Sequence, residues 1–358
     1  MKNVKIKKLL PLLMAAGLVI ISALCFLGYK NTAGLLLSQQ AAERWQGENE
    51  LGFAQISCFA ASGDSFTVEK IYQFRTDMLS KLTEASFEVS QDTRLIHDAW
   101  CGFGSVDASN GQRKGKLSVT AVGGDYFHFH PIKLIDGNYL SPDDLMGDRV
   151  LIDRETAWML FGGEELAGMS FEIMGQPFYV AGVIEREDDR FSQRAYDGGM
   201  GIYMHHDAYA ALVENAPISC YELVMAEPVQ GFAMAAAEEK FPIGKGEIVD
   251  NSYRFDSERM INMLKSGSTR SMHLSAAVYP YWENAARGAE DACLRWLTAA
   301  LISAVLPIVL AVFALIKGFV FAKGKLEDEY IPGAKEKAQE AWRVRARKRW
   351  EKKHPNMK

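Results

Sequence analysis

LLPLLMAAGLVIISALCFLGY, Leu9–Tyr29, and WLTAALISAVLPIVLAVFALI, Trp296–Ile316, each run for 21 residues without a charge. Each matches the ~20 residues a helix needs to cross hydrocarbon. A core helix of a soluble domain rarely stays apolar on every face for that length, so both runs read as membrane spans. The first run is longer than the ~7–15-residue apolar core of a cleaved signal peptide, and no Ala-x-Ala site follows it, so it is expected to stay attached. Cys25 follows Leu24, whereas lipidated cysteines follow a small residue, so Cys25 reads as a packing residue.

Charge orients the spans. Lys2, Lys5, Lys7 and Lys8 precede the first, and Lys317, Lys323 and Lys325 follow the second. Positive flanks stay in the cytoplasm, so a two-pass cell-membrane protein with both termini cytoplasmic is expected. The segments are then a cytoplasmic 1–8, spans at 9–29 and 294–321, an extracytoplasmic 30–293 and a basic tail at 322–358. Residues 31–316 hold 22 Lys and Arg against 39 Asp and Glu, a balance of −17 that the whole-chain −5 conceals. So acidic an outer domain excludes nucleic acid as a partner there.

Four of the five cysteines, Cys58, Cys101, Cys220 and Cys293, fall on the oxidising side, where disulfides persist. No zinc-ligand spacing occurs among them. Two of Cys58, Cys101 and Cys220 pair, or the three serve as small buried hydrophobes; both readings stand.

Between the spans, strands alternate with helices. Ala54, Ile56, Cys58 and Ala60 point one way and Gln55 and Ser57 the other, the period of a strand. Asp64 or Ser65 is placed to cap a helix from Thr67 to Phe87, whose stripe is Val68, Ile71, Tyr72, Met78, Leu79 and Leu82. Leu117–Val122, Arg149–Ile152, Ser170–Met174 and Phe178–Ile184 are β-like, with a turn at Gly175, Gln176 and Pro177 and a short helix Glu155–Phe161 ended by Gly162. A strand at Tyr221–Ala226, a helix at Val229–Phe241 and a strand at Glu247–Phe255 follow. The expected fold is an α+β ectodomain: two βαβ-like halves, about 50–116 and 206–260, flank an inserted β-rich subdomain at 117–205. A stalk at 261–293 then leads to the second span.

The runs Val122-Gly-Gly-Asp-Tyr-Phe127, Ile135-Asp-Gly-Asn-Tyr-Leu-Ser-Pro-Asp143, Arg149-Val-Leu-Ile152, Leu160-Phe-Gly162, Leu166-Ala-Gly168 and Gln176-Pro-Phe-Tyr-Val-Ala-Gly-Val183 occur in one order. In that order they resemble the MacB-like periplasmic core domain of ABC permeases of the macrolide-exporter and FtsX type, over roughly residues 50–260. The resemblance implies porter-like halves around a β-rich insertion. It also implies an ectodomain that follows an ATPase pair through a stiff element moved between two states. One departure is serious: the usual permease has three spans after the ectodomain, and here one follows. The chain lacks a phosphate-cradling loop, because Gly115-Lys116 is followed by Leu117 with no glycine at the needed spacing. The expected partners are therefore a separate ABC ATPase, a fuller permease and membrane lipid.

No enzyme motif or cofactor is read from the sequence. His128, His130 and Asp125, or His205, His206 and Asp207, could be imagined as metal ligands, but solvated or locally bonded histidines are the plainer account. The acidic run Glu185–Arg190 lacks EF-hand spacing, and no nucleophile elbow occurs. Tyr279, Pro280 and Trp282 read either as an interfacial aromatic anchor or as a rigid joint between stalk and span. Ala15, Ala16 and Gly17, with Ala299, Ala300, Ser303 and Ala304, allow close helix packing against a partner or between the chain's own spans. Pro307 can kink the second span. The helix-prone Ala334–His354 is dense in Lys and Arg and suits an anionic leaflet or a partner. Two functions follow: a permease-like subunit of a transport or mechanotransmission complex, or a membrane-anchored binding or sensing module without transport.

Overall fold

The computed structural model describes residues 2–47, 51–85, 94–144, 146–196, 199–267, 279–326 and 331–353. They form two units. Gly28–Arg295 make one, and Met1–Leu27 with Trp296–Lys358 make the other.

The chain opens with α1 (Lys2–Ala33), a single 3-10 turn at Leu37–Gln39 and α2 (Ala41–Gln46). Next come β1 (Phe53–Phe59), α3 (Val68–Glu84), β2 (Ile96–Ser109), β3 (Lys114–Gly124), α4 (Tyr126–Phe129), β4 (Lys133–Gly137) and β5 (Arg149–Asp153). Then follow α5 (Arg154–Leu160), β6 (Ser170–Ile173), β7 (Gln176–Glu185), α6 (Ser192–Ala195), β8 (Gly201–His205) and α7 (His206–Leu212). The chain closes with β9 (Cys220–Ala226), α8 (Phe232–Lys240), β10 (Glu247–Asp250), α9 (Ser257–Ser266), α10 (Tyr281–Lys325) and α11 (Ile331–Lys353).

All ten strands join one sheet in the order β10-β1-β9-β2-β3-β8-β5-β7-β4, with β6 pairing both β2 and β7. In its first four strands every neighbouring pair is antiparallel. β1–α3–β2 and β9–α8–β10 are therefore two interlocked split βαβ units, the ferredoxin-like arrangement. The α+β ectodomain read from the sequence is present, and β3 to β8 lie between those two units in the chain.

β2 links the two parts of the sheet. Along one edge its Ile96–Cys101 stretch pairs with β9 and its far end, Ala108 and Ser109, pairs with β6, while Ala99–Ser109 pair with β3 along the other edge. At the change-over a Cβ on Gly102 would stand 1.7 Å from the Pro217 carbonyl oxygen, so only glycine lets the backbones pass that closely.

Sheet parity sorts the core. Cys58, Tyr221 and Trp100 are register partners on one face, covered by α3 and α8; Phe59, Cys220 and Cys101 are partners on the other. Every residue of β1 is buried, because both faces are covered, so Gln55 and Ser57 are buried polar groups. On the α3 side Ile71, Phe74, Met78 and Leu82 are fully buried, each worth about 1.5–3 kcal/mol of transfer free energy. Tyr72 and Leu79, read as part of that stripe, are exposed: the true stripe runs through Phe74. The α3 cap is Thr67, whose side chain accepts from the Lys70 amide, in place of Asp64 or Ser65. The predicted continuation of this helix to Phe87 lies partly outside the described residues.

The β6–β7 hairpin also turns earlier than its sequence suggests. Ile173 pairs with Gln176, so the two-residue loop is Met174-Gly175, with φ of 51° and 80°. Two positive φ values are the requirement of the type I′ turn that matches strand twist. Pro177 lies inside β7 opposite Glu172.

Candidate functional site: a buried ionic joint at the root of α10

The first turns of α10 read Tyr281-Trp-Glu-Asn-Ala-Ala-Arg-Gly-Ala-Glu290. Ala285, Ala286 and Ala289 are completely buried, and their small side chains let the helix lie close against Leu36, Phe191 and Ala195. Glu283, Arg287 and Glu290, at i, i+4 and i+7, share one face.

That face receives Arg254, only 1% exposed, from the turn after β10. Its guanidinium donates to Glu283 from Nη1 at 2.6 Å and Nη2 at 3.0 Å, and to Glu290 from Nε at 2.7 Å. Nη1 also donates to Gln39 and Asn251, each at 3.0 Å. Arg287 donates to Glu283 at 2.8 Å and to Glu247 at 2.9 Å, and stands 4.0 Å above the Tyr279 ring. Burial alone would loosen the proton on Arg254, but Glu283 and Glu290 reverse the sign and tighten it. Burial likewise raises the Glu283 carboxyl, and Arg254 and Arg287 outweigh it, leaving Glu283 below the ordinary carboxylate range.

From Arg254 the polar contacts continue across the ferredoxin-like sheet. Asn251 donates to Ser57 at 2.7 Å, Ser57 donates to Glu222 at 3.0 Å, and the other oxygen of Glu222 meets His130 Nε2. A second branch leaves α10 at Tyr281, whose hydroxyl donates to Glu187 at 2.9 Å and whose ring stacks on Tyr196 at 4.3 Å. Tyr196 also donates to Glu187. Burial raises the Glu187 carboxyl above its usual range despite the bond from Tyr281. The α10 root thus holds β10 and the turn after it through charge, reaches β1 and β9 through the neutral Asn251–Ser57 relay, and holds the loop after β7 through tyrosines. Such a cluster fixes geometry: breaking one member strands a buried charge, whereas its net stabilising worth is small.

Of the aromatic trio singled out from sequence, Tyr279 bonds Glu247 and packs edge-on to Phe59, and the Pro280 carbonyl accepts the Asn284 amide. Trp282 is buried against His130 at 4.3 Å and Tyr126 at 6.0 Å, inside the ectodomain core. A ring so placed is no membrane-interface anchor. Cys101 and Cys220 are opposed register partners, both buried and both free thiols in this structure, and Cys58, also a buried free thiol, lies on the opposite sheet face. Cys293 is buried beside Tyr29. Among the described residues no three His, Cys, Asp or Glu side chains converge as metal ligands. In the other unit Ala300 and Ser303 are buried, Ala299 is exposed and Ala304 half-buried, and the Ser22 hydroxyl donates to the Ala300 carbonyl at 2.9 Å. Part of the small-residue face therefore packs the chain's own two apolar helices together, and Ala15 is buried there as well.

Arg254 and Glu283 do not show in the sequence as a pair, since 29 residues separate them. The available signal was the charged i, i+4, i+7 face inside an alanine-rich helix next to a membrane span.

An α+β domain of periplasmic type, with α1 and α10 long and apolar enough to cross a membrane, defines a membrane protein with an extracytoplasmic domain. The MacB-like periplasmic core domain model matches residues 30–242, and the chain belongs to that family, whose members are components of ABC transporter systems. The solved extracellular domain of the noncanonical ABC-type transporter YknZ from Gram-positive bacteria is similar at 16% identity, covering 53% of this chain and 92% of that one, with a TM-score of 0.37. The periplasmic region of MacB from Actinobacillus actinomycetemcomitans is similar at 14% identity, covering 63% and 96%, with a TM-score of 0.41. No curated protein matches the chain.

Proposed function

We propose that this chain is a permease-like subunit of an ABC transport or mechanotransmission complex, and that its ectodomain is moved through α10 by an ATPase on a separate chain. The observation that carries the reading is the Arg254–Glu283–Glu290 cluster, which ties the porter-type sheet to the helix that also supplies the second span. Membership of the family supports a transporter role, and the missing phosphate loop supports an external energy source. Lysines flanking both apolar runs support cytoplasmic termini. The basic α11 suits an anionic inner leaflet. Residues such as Ile302, Val305, Ile308 and Phe313, exposed on α10, offer a surface for lipid or the helices of a fuller permease. Gentle detergent extraction should then co-purify an ABC ATPase and a multi-span permease. Repeated recovery of this chain as a single species would instead favour an anchored sensing module.

A disulfide between Cys101 and Cys220 is the pairing that sheet parity favours, because Cys58 faces the other way. Protein from the oxidising side should yield a Cys101–Cys220 cross-linked peptide in non-reducing mass spectrometry. Complete alkylation of both thiols without prior reduction would contradict the pairing.

A further inference from the structure

A cleft of about 300 Å³ opens beside the α10 root, and its walls differ in kind. One wall is Leu35, Leu36 and Leu37, with Leu35 and Leu37 42% and 51% exposed. These leucines follow Ala33, the last residue of the apolar α1, by two to four residues. At no more than about 3.6 Å per residue, chain reach alone keeps Leu37 within roughly 15 Å of that helix end. The same cleft is lined by the run Glu185-Arg-Glu-Asp-Asp189 with Lys133. Glu185 is taken by Lys133 and Arg154, and Arg186 is engaged by Asp153, which leaves Glu187, Asp188 and Asp189 as the acidic part of the rim.

Lining the same cleft are His130 and Trp282, 1% and 2% exposed. His130 commits Nε2 to Glu222, while its Nδ1 and the Trp282 indole nitrogen have no hydrogen-bond partner among the described residues. A buried polar atom left unpaired is costly, so two beside one cleft point to a ligand that satisfies them. With Nε2 committed to Glu222, Nδ1 is the His130 nitrogen left for a ligand, and the indole offers only a donor.

We propose that this cleft binds a zwitterionic phospholipid with a primary ammonium headgroup, an ethanolamine lipid from the adjoining leaflet. The ammonium meets the acidic rim and has N–H to give to His130. A phosphate or ester oxygen accepts from Trp282, and the acyl chain lies along Leu35 and Leu37. A quaternary choline lacks the N–H, and an anionic glycerol lipid is repelled by the rim. The site stands whether or not the chain serves a transporter, but Trp282 and Glu187 belong to the α10 joint, so occupancy would bear on it.

The test uses the full chain in maltoside micelles, titrated with lysophosphatidylethanolamine and followed by native mass spectrometry and by the fluorescence change lost in Trp282→Phe. One saturable site is expected, about tenfold tighter or more than for the choline or glycerol analogue of equal chain length, a difference of roughly 1.4 kcal/mol. Leu37 is exposed, so Leu37→Asp should keep the unfolding temperature and weaken binding by about tenfold or more, since the acyl chain loses apolar surface to lie on. Free phosphoethanolamine should bind more than about a hundredfold more weakly for the same reason. Equal affinity for the three headgroups, unchanged binding by Leu37→Asp, or tight binding of free phosphoethanolamine would each overturn the lipid assignment.

Discussion

Arg254→Met is expected to destabilise the ectodomain by about 3–5 kcal/mol, the usual cost of stranding a buried partner charge. Glu283 and Glu290 are both within 1% of complete burial at their side chains, so neither can turn to water when the guanidinium goes. For a domain of this size each kcal/mol moves Tm by about 2–4 °C, so the fall should be on the order of 10 °C. Arg254→Lys should recover only part of it, because an ammonium cannot hold Glu283 with two donors and Glu290 with a third. A triple replacement, Arg254→Met with Glu283→Leu and Glu290→Leu, should recover most of the loss, since an apolar cluster of similar volume escapes the desolvation cost. Thermal unfolding of the four proteins decides the matter; an Arg254→Met protein as stable as the wild type would remove the joint.

The same cluster sets a pH dependence. Glu283 is held below the ordinary value, so it contributes stability that is complete above the unfolded carboxylate pKa of about 4.3 and is lost as pH falls through its lowered native value. Arg254→Met removes the foremost of the groups that lower it. The stability gap between wild type and variant should therefore be widest near neutrality and narrow below about pH 4.

The second large effect is all-or-none. With both termini in the cytoplasm, a protease added outside intact cells should digest the region 31–293 and leave a tag after Lys358 untouched. Lysines flank both apolar runs within the reach over which positive charge sets orientation. Digestion of the tail tag together with the ectodomain would reverse the orientation, and would also place α11 where no cytoplasmic partner could meet it.

How far the sequence discloses this molecule depends on how local each feature is. The β1–α3 unit shows in its period and the β9–α8–β10 unit in its composition, because both signals are local, although the residue that caps α3 is Thr67 and not Asp64 or Ser65. β2 does not, since Gly102 and Gly104 interrupt its alternation and its two ends serve different parts of the sheet. Trp282 was ambiguous for a related reason: an aromatic ring near a span fits the headgroup zone and a core equally well until its neighbours are known. Arg254 was silent, because a lone arginine in a turn looks solvated, and its partners arrive from a helix that begins 27 residues later. Cys101 and Cys220 were legible as cysteines on the oxidising side, but only register shows that they oppose each other while Cys58 faces away.

On the proposed function, ATP use on another chain reaches the ectodomain through α10. Hydrogen exchange of the backbone peptide covering 281–294, measured in the natively extracted complex with ATP and then with ADP, tests it most directly. Coupling predicts that exchange in this root segment changes with the nucleotide, and that Glu283→Gln, which loosens the grip of Arg254, blunts the change. Exchange that is the same in both nucleotide states, in a complex shown to hydrolyse ATP, would contradict it.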